Sequence, residues 1–249
     1  MPLPVRALLL ALGLAALAFS AAGAAEPAAL APGQRQTIEA IVHDYLLSHP
    51  EVLIEALNEA EKKLRLAAQE HAQQALADHR RQVFDDPATP VGGNPEGDAT
   101  IVEFFDYNCP YCKAIEPSLE RLLAKDHNLR FVYKEFPVLG PESVVAARAA
   151  LAANRQGKYE AFHDAMMALK GPFDDDRIYQ VARSVGLDVA RLRRDMASPQ
   201  IAAALKANFV LADALDVHGT PTFIIGKEIV PGAVDTTRLE HLIAAARRH

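Results

Sequence analysis

The chain has no tryptophan, few aromatic residues of any kind (6%), and only two cysteines in 249 residues. Two cysteines cannot build the multi-bridge framework of small secreted domains, nor can they alone fill a four-ligand structural zinc site. A basic excess is missing too: 26 Lys and Arg stand against 32 Asp and Glu, for a formal charge of -6. Phosphate backbones are bound by basic surface, so the charge balance gives no reason to expect a nucleic-acid partner. What is plentiful is apolar content. Half of the residues are hydrophobic, which excludes a disordered chain and is enough for a substantial core.

The first residues read as an address. Arg6 is the only charge before Glu26, an apolar run extends from Ala7 to Phe19, and small residues follow in A-x-A order at Ala22-Gly23-Ala24. This pattern predicts a cleaved secretory signal over residues 1–25. The alternative, an uncleaved anchor, falls short of the roughly 20 apolar residues that a spanning helix needs. No cysteine lies near the cleavage site, which excludes lipid attachment there. Export to the periplasm puts the rest of the chain where disulfides persist.

Residues 26–90 are expected to form a helical stalk. Ile38, Ile41, Val42, Tyr45 and Leu46 fall at helix spacing. Ser48-His49-Pro50-Glu51 fits the end of one helix and a capping box opening the next. From Glu51 to Phe84 there is neither Gly nor Pro, which predicts one rod about 50 Å long. Within it Leu53, Leu57, Ala60, Leu64, Ala67 and His71 alternate at spacings of four and three, a heptad seam. Either the helix lies on its own domain or it assembles copies of the chain. Asp85-Asp86-Pro87-Ala88-Thr89-Pro90 ends the segment.

Residues 91–249 read as an α/β domain. After a turn-rich stretch from Gly92 to Asp98, Ile101–Phe105 is a short apolar run expected to be a buried strand, and Leu129–Phe136 alternates as a second. A helical pattern through Ile115, Leu119, Leu122 and Leu123 lies between them, making a βαβ unit. An Ala-rich helical block follows at about residues 141–216, with Asp174 and Asp188 as helix starts. Thr222–Ile225 and Glu228–Val230 read as a closing hairpin, and Asp235–Arg248 as a final amphipathic helix.

The chemistry falls on Cys109 and Cys112, a C-x-x-C pair at the junction of strand and helix. Unsatisfied N–H groups and the dipole at a helix start favour a thiolate, which makes Cys109 the attacking sulfur. Pro110 suits the first helical turn. Cys112, one turn in, is placed to resolve a mixed disulfide. An inert bridge or half a metal site are the alternatives. A bridge closing so small a loop would stabilise little, and the nine histidines offer no second ligand pair at zinc spacing. Glu103 interrupts an apolar strand. It is either an edge residue facing solvent or a buried, protonatable group that relays a proton to or from Cys112. Thr220-Pro221 precedes a strand, where a cis bond would account for the proline.

These motifs together, from Phe104-Phe105-Asp106-Tyr107-Asn108-Cys109-Pro110-Tyr111-Cys112-Lys113 through the Ala-rich block to Gly219-Thr220-Pro221-Thr222-Phe223, resemble the DsbA family of thioredoxin-fold oxidoreductases. The resemblance implies a thioredoxin fold with an inserted helical domain. It implies a cis Pro221 facing the cysteines, an acid at Glu103 beneath the buried cysteine, and a substrate strand pairing beside the cis-proline. Pro110, Tyr111, Thr220 and Pro221 are then the substrate-binding residues, with Thr220 and Pro221 also keeping metal off the thiols. No cofactor and no metal are implied. The region from Ile38 to Asn94 is similar to the N-terminal stalk of the trimeric ScsC-like (suppressor-of-copper-sensitivity) branch, which implies a homotrimer and isomerase activity.

Two departures from the DsbA oxidase matter. Its dipeptide is Pro-His where this chain has Pro-Tyr, and its Val before the cis-proline is Thr220 here. Both point to a less oxidising pair, hence an isomerase or reductase rather than a dedicated oxidase. The expected partners are protein substrates with thiols or disulfides and a membrane redox partner. A DsbA-like dithiol oxidase remains the alternative within the class. Outside it stand a Cu(I)-binding protein, since two thiolates are soft ligands, and a structural adaptor with inert cysteines.

Overall fold

The computed structural model describes residues 31–248, so the expected signal over residues 1–25 lies outside the described residues. The chain divides into two units, one ending at Ala60 and the other beginning at Glu61. Two helices open the described chain, α1 (Pro32–Ser48) and α2 (Pro50–Asp78). Their junction differs from the expected capping box. Ser48 is the last residue of α1, and its hydroxyl donates back to the Asp44 carbonyl at 2.7 Å. The apolar residues of the expected seam face outward in the single chain. Leu57 is 69% exposed and Leu64 72%.

The expected unbroken rod to Phe84 ends early. A turn at His79 separates α2 from a short helix α3 (Arg80–Phe84). The cause is packing, since no Gly or Pro lies there. Leu76, Val83 and Phe84 are buried in a cluster with Val102, Phe104, Val132 and Phe136, and the turn lets both short segments reach it.

Five strands form one sheet: β1 (Val91–Gly93), β2 (Ala99–Phe105), β3 (Leu129–Glu135), β4 (Thr222–Ile225) and β5 (Glu228–Pro231), in the order β1-β3-β2-β4-β5. Strands β2 and β3 are parallel, joined through α4 (Pro110–Lys125), which is the expected βαβ unit. Strand β4 runs antiparallel to β2 and pairs with β5 as a hairpin. Strand β1, which the sequence pattern does not predict, pairs antiparallel with β3 and overlaps the start of the turn-rich stretch at Gly92. Between β3 and β4 lie α5 (Pro141–Asn154), α6 (Tyr159–Met167), α7 (Asp175–Ser184), α8 (Val189–Met196) and α9 (Pro199–Ala214). Asp174 and Asp188 cap α7 and α8, each accepting from a backbone N–H three residues on. The last helix is α10 (Thr236–Ala246), capped by Asp235.

Strand alternation sorts the sheet into two faces. Ile101 and Phe105 of β2 pack with α4, α10 and the inserted helices, while Val102 and Phe104 pack with α3 and the end of α9. Glu103 shares the first of these faces.

Candidate functional site

Strand β2 is the centre of the sheet, flanked by β3 and β4. Its C-terminal end therefore delivers the loop Asp106–Cys109 to the start of α4. Asp106 shapes that loop. Its carboxylate accepts from the Asn108 N–H (2.7 Å), the Leu139 N–H (2.9 Å) and the Ser143 hydroxyl (2.7 Å), while its carbonyl accepts from the Cys109 N–H (3.0 Å). Cys109 is the N-cap of α4 and Pro110 its first residue.

At the cap, Cys109 Sγ accepts from the Cys112 backbone N–H at 3.3 Å. As a thiol it donates to the Thr220 carbonyl at 3.2 Å. Its acidity is raised, with the pKa lowered to about 6. The Cys112 thiol hydrogen bond leads, against the opposing effect of burial, and Thr220 and the backbone N–H groups of the first turn add to it. Cys112 is fully buried, and burial foremost pushes its pKa far above that of a free thiol, aided by Cys109 and by the nearby Glu103 charge. Both sulfurs are free thiols here.

Glu103 lies at the middle of β2, paired with Tyr133 on one side and Phe223 on the other. An edge position is thereby excluded. The residue is fully buried, and neither carboxylate oxygen has a hydrogen-bond partner. Burial, then the charges of Glu116 and Cys109, hold its pKa well above the ordinary carboxylate range. The Thr220–Pro221 peptide bond is cis. Thr220 meets Cys109, Pro221 is buried, and Tyr111 stands 66% exposed beside the pair. Thus the chain brings Cys109, Cys112, Pro110, Tyr111, Thr220 and Pro221 to one place, and Glu103 to the sheet face below them.

Sequence reading did not find Lys113, whose Nζ donates to the Leu169 carbonyl at 2.6 Å and ties α4 to the inserted helices. Beside it, Asn108, Pro110, Met167, Leu169 and Pro172 help to line a groove of about 730 Å³ that opens next to the cysteines. Also missed were the buried polar groups Glu116, Lys134, Glu135 and His163. Their sequence neighbours carry no signal that sets them apart from solvated charge.

A central sheet with a dithiol at a helix N-terminus, faced by a cis-proline, defines a thioredoxin-fold protein. Residues 100–244 match the DSBA-like thioredoxin domain family, and the chain belongs to that family. Residues 34–66 match the family described as the copper resistance protein ScsC N-terminal domain. A thioredoxin-like oxidoreductase from Silicibacter pomeroyi is 47% identical, with a TM-score of 0.67, over 68% of this chain and 98% of that one. ScsC of Proteus mirabilis in a transitional conformation is 31% identical, with a TM-score of 0.66, over 89% of this chain and 98% of its own. Among curated relatives, the Na(+)/H(+) antiporter NhaA 1 of Salinispora arenicola is 32% identical over 158 residues, which is 63% of this chain and 24% of the antiporter. The chain thus spans about a quarter of the length of the curated relatives it matches. Among the described residues no helix is long and apolar enough to cross a membrane.

Proposed function

We propose that the chain is a periplasmic thiol–disulfide oxidoreductase acting on protein substrates, as an isomerase or reductase. The observation that carries this reading is the split in acidity across one helical turn. Cys109 is poised as a thiolate near neutral pH, while Cys112 is held as a thiol. In the reductive direction Cys109 Sγ attacks a substrate disulfide and forms a mixed disulfide, and the second substrate sulfur leaves as a thiolate. Cys112 then attacks Cys109 Sγ as its proton passes to Glu103, whose own proton is given up toward the departing substrate thiolate. The substrate is released reduced and the pair is left oxidised. In isomerisation a substrate thiolate resolves the complex instead, and the pair stays reduced. Thr220 and Pro221 hold the substrate backbone, and Pro110 and Tyr111 form the exposed lip it meets.

The choice of isomerase or reductase over oxidase is supported by the thiolate's acidity. A pKa of about 6 is nearer to thioredoxin's value of about 7 than to that of the strong oxidant DsbA, about 3.5. The match of residues 34–66 to the ScsC N-terminal domain, together with the exposed Leu53, Leu57 and Leu64, supports assembly of copies through the stalk, as a trimer.

Refolding of scrambled ribonuclease tests the activity. It requires the wild-type chain to restore ribonuclease function and Cys109→Ser to lose that ability. A Cys109→Ser protein that still catalyses the exchange sinks the assignment. Equilibration of the pair with glutathione separates the directions, since an isomerase or reductase pair settles at a lower potential than a dedicated oxidase.

A further inference from the structure

Behind the sheet face that carries Glu103, α4 and α6 bring Glu116, His163 and Asp164 together, with one ligand atom from each lying within 4.8 Å of the others. His163 is fully buried in a box of rings, with centroids 4.8 Å from Phe105, 4.7 Å from Tyr133 and 5.8 Å from Tyr159. Its two nitrogens have different fates. The Tyr107 and Tyr159 hydroxyls both donate to Glu135 Oε1, at 3.2 and 2.7 Å. Tyr107 has spent its only proton, so its oxygen is left to accept from His163 Nδ1–H at 3.1 Å. That places a proton on Nδ1 and turns Nε2 toward Glu116.

His163 Nε2 faces Glu116 Oε1 at 3.5 Å. This is too long for a hydrogen bond, and His163 Nε2 and Glu116 Oε2 have no hydrogen-bond partner although both are buried. Buried polar atoms left without a hydrogen bond in a low-dielectric interior are costly, and a cation held between the ring nitrogen and the carboxylate would satisfy both. The spacing suits a metal ion. With Zn–N and Zn–O bonds of about 2.0–2.2 Å, a tetrahedral N–Zn–O edge is about 3.4 Å. The Nδ1–H to tyrosine and on to carboxylate is the outer-shell pattern that orients a metal-binding histidine. Asp164 follows His163 on α6 and is exposed, so its carboxylate can close the third position from the solvent side. Glu120 and Glu160 add to the negative field there.

We propose that Glu116, His163 and Asp164 form a site for a zinc-class divalent cation, separate from the cysteine pair. An imidazole with two carboxylates suits zinc among the first-row ions, and the fourth position is left to water.

The test uses the full-length chain carrying Cys109→Ser and Cys112→Ser, which removes the sulfur ligands, titrated with Zn²⁺ by calorimetry at neutral pH. One equivalent should bind with micromolar or tighter affinity. Glu116→Gln and Asp164→Asn, each in that background, should weaken it by about tenfold or more, and the His163 Nε2 resonance should shift on binding. Asp164→Asn alters a surface residue, so it reports on the site without disturbing the core. No binding, or an affinity unchanged in either variant, overturns the site. None of these outcomes depends on thiol–disulfide exchange.

Discussion

The most demanding prediction concerns Glu103. A buried carboxyl with no hydrogen-bond partner stays protonated in the folded chain at pH values where the unfolded chain has released its proton. Because the folded pKa is raised, the group's contribution to stability is fully present below the unfolded-state value of 4.5 and is lost as pH rises toward the folded one. Each pH unit in that window costs about 1.4 kcal/mol. Glu103→Gln keeps the volume and the polar atoms but cannot titrate. Between pH 5.5 and 7 the wild type should therefore lose stability relative to the variant, by up to about 2 kcal/mol. At roughly 2–4 °C per kcal/mol for a chain of this size, the two melting temperatures should diverge by up to about 4–8 °C. The assay is thermal unfolding of both reduced proteins across that range, where the titrations of Cys109, Glu135 and Asp164 cancel to first order in the difference. Parallel stability profiles would mean that the carboxyl is hydrated or paired, and its role as proton carrier to Cys112 would fall with that result.

Three further outcomes follow from other residues. Alkylation of the reduced protein by iodoacetamide should rise with a midpoint about pH 6 and vanish in Cys109→Ser, whereas a midpoint about 8.5, that of a free thiol, would remove the basis for the attacking role. Lys134, fully buried, donates to the Gln82 carbonyl at 2.6 Å and the Thr89 hydroxyl at 2.8 Å. Lys134→Ala should cost roughly 3 kcal/mol in denaturant unfolding by stranding both acceptors, and a loss under about 0.5 kcal/mol would show that water replaces the amine. Deletion through Ala60 should leave a folded monomer by light scattering and melting. Deletion through Asp86 should not, because it also removes Leu76, Val83 and Phe84 from the core, at about 1.5–3 kcal/mol for each large side chain.

Much of the fold could be read from the sequence because its strands are short apolar runs bounded by turn residues. The βαβ unit and the Thr222–Ile225 strand are of this kind. Strand β1 escaped because its Val91-Gly92-Gly93 has no apolar pattern. It exists through its pairing with β3, and a side chain at Gly92 would meet Tyr133 and Glu160 within 3 Å. The break at His79 escaped for a related reason, since tertiary burial of Val83 and Phe84 outweighs local helix preference. At the site, Cys109, Cys112 and Thr220-Pro221 stood out by spacing and context. Glu103 stood out because its strand neighbours are apolar. Glu116 did not, because a Glu in an amphipathic helix looks solvated until the packing of α6 buries it.

The same contrast shows how the two faces of the sheet divide their tasks. Even-numbered positions of β2 and β3 carry Val102, Phe104, Val132 and Lys134, and the buried charge of Lys134 is spent on fastening the segment around Gln82 and Thr89. Odd-numbered positions carry Glu103, Tyr133 and Glu135, and these face α4 and α6. A charge on the first face is matched by fixed acceptors and has no freedom to move. On the second face, Glu103 is left without a hydrogen bond, and Glu116 and His163 each retain an unpartnered atom. Unmatched polar atoms are costly in a core, and a chain built for stability alone would place apolar side chains there. The unpartnered carboxyl of Glu103 is what proton transfer to Cys112 requires, and the unpartnered atoms of Glu116 and His163 are what a bound cation would satisfy. Replacing Glu103 with Leu should accordingly raise stability at neutral pH while slowing release of the mixed disulfide. A Leu variant that is both more stable and equally fast in single-turnover exchange would separate the buried acid from the chemistry.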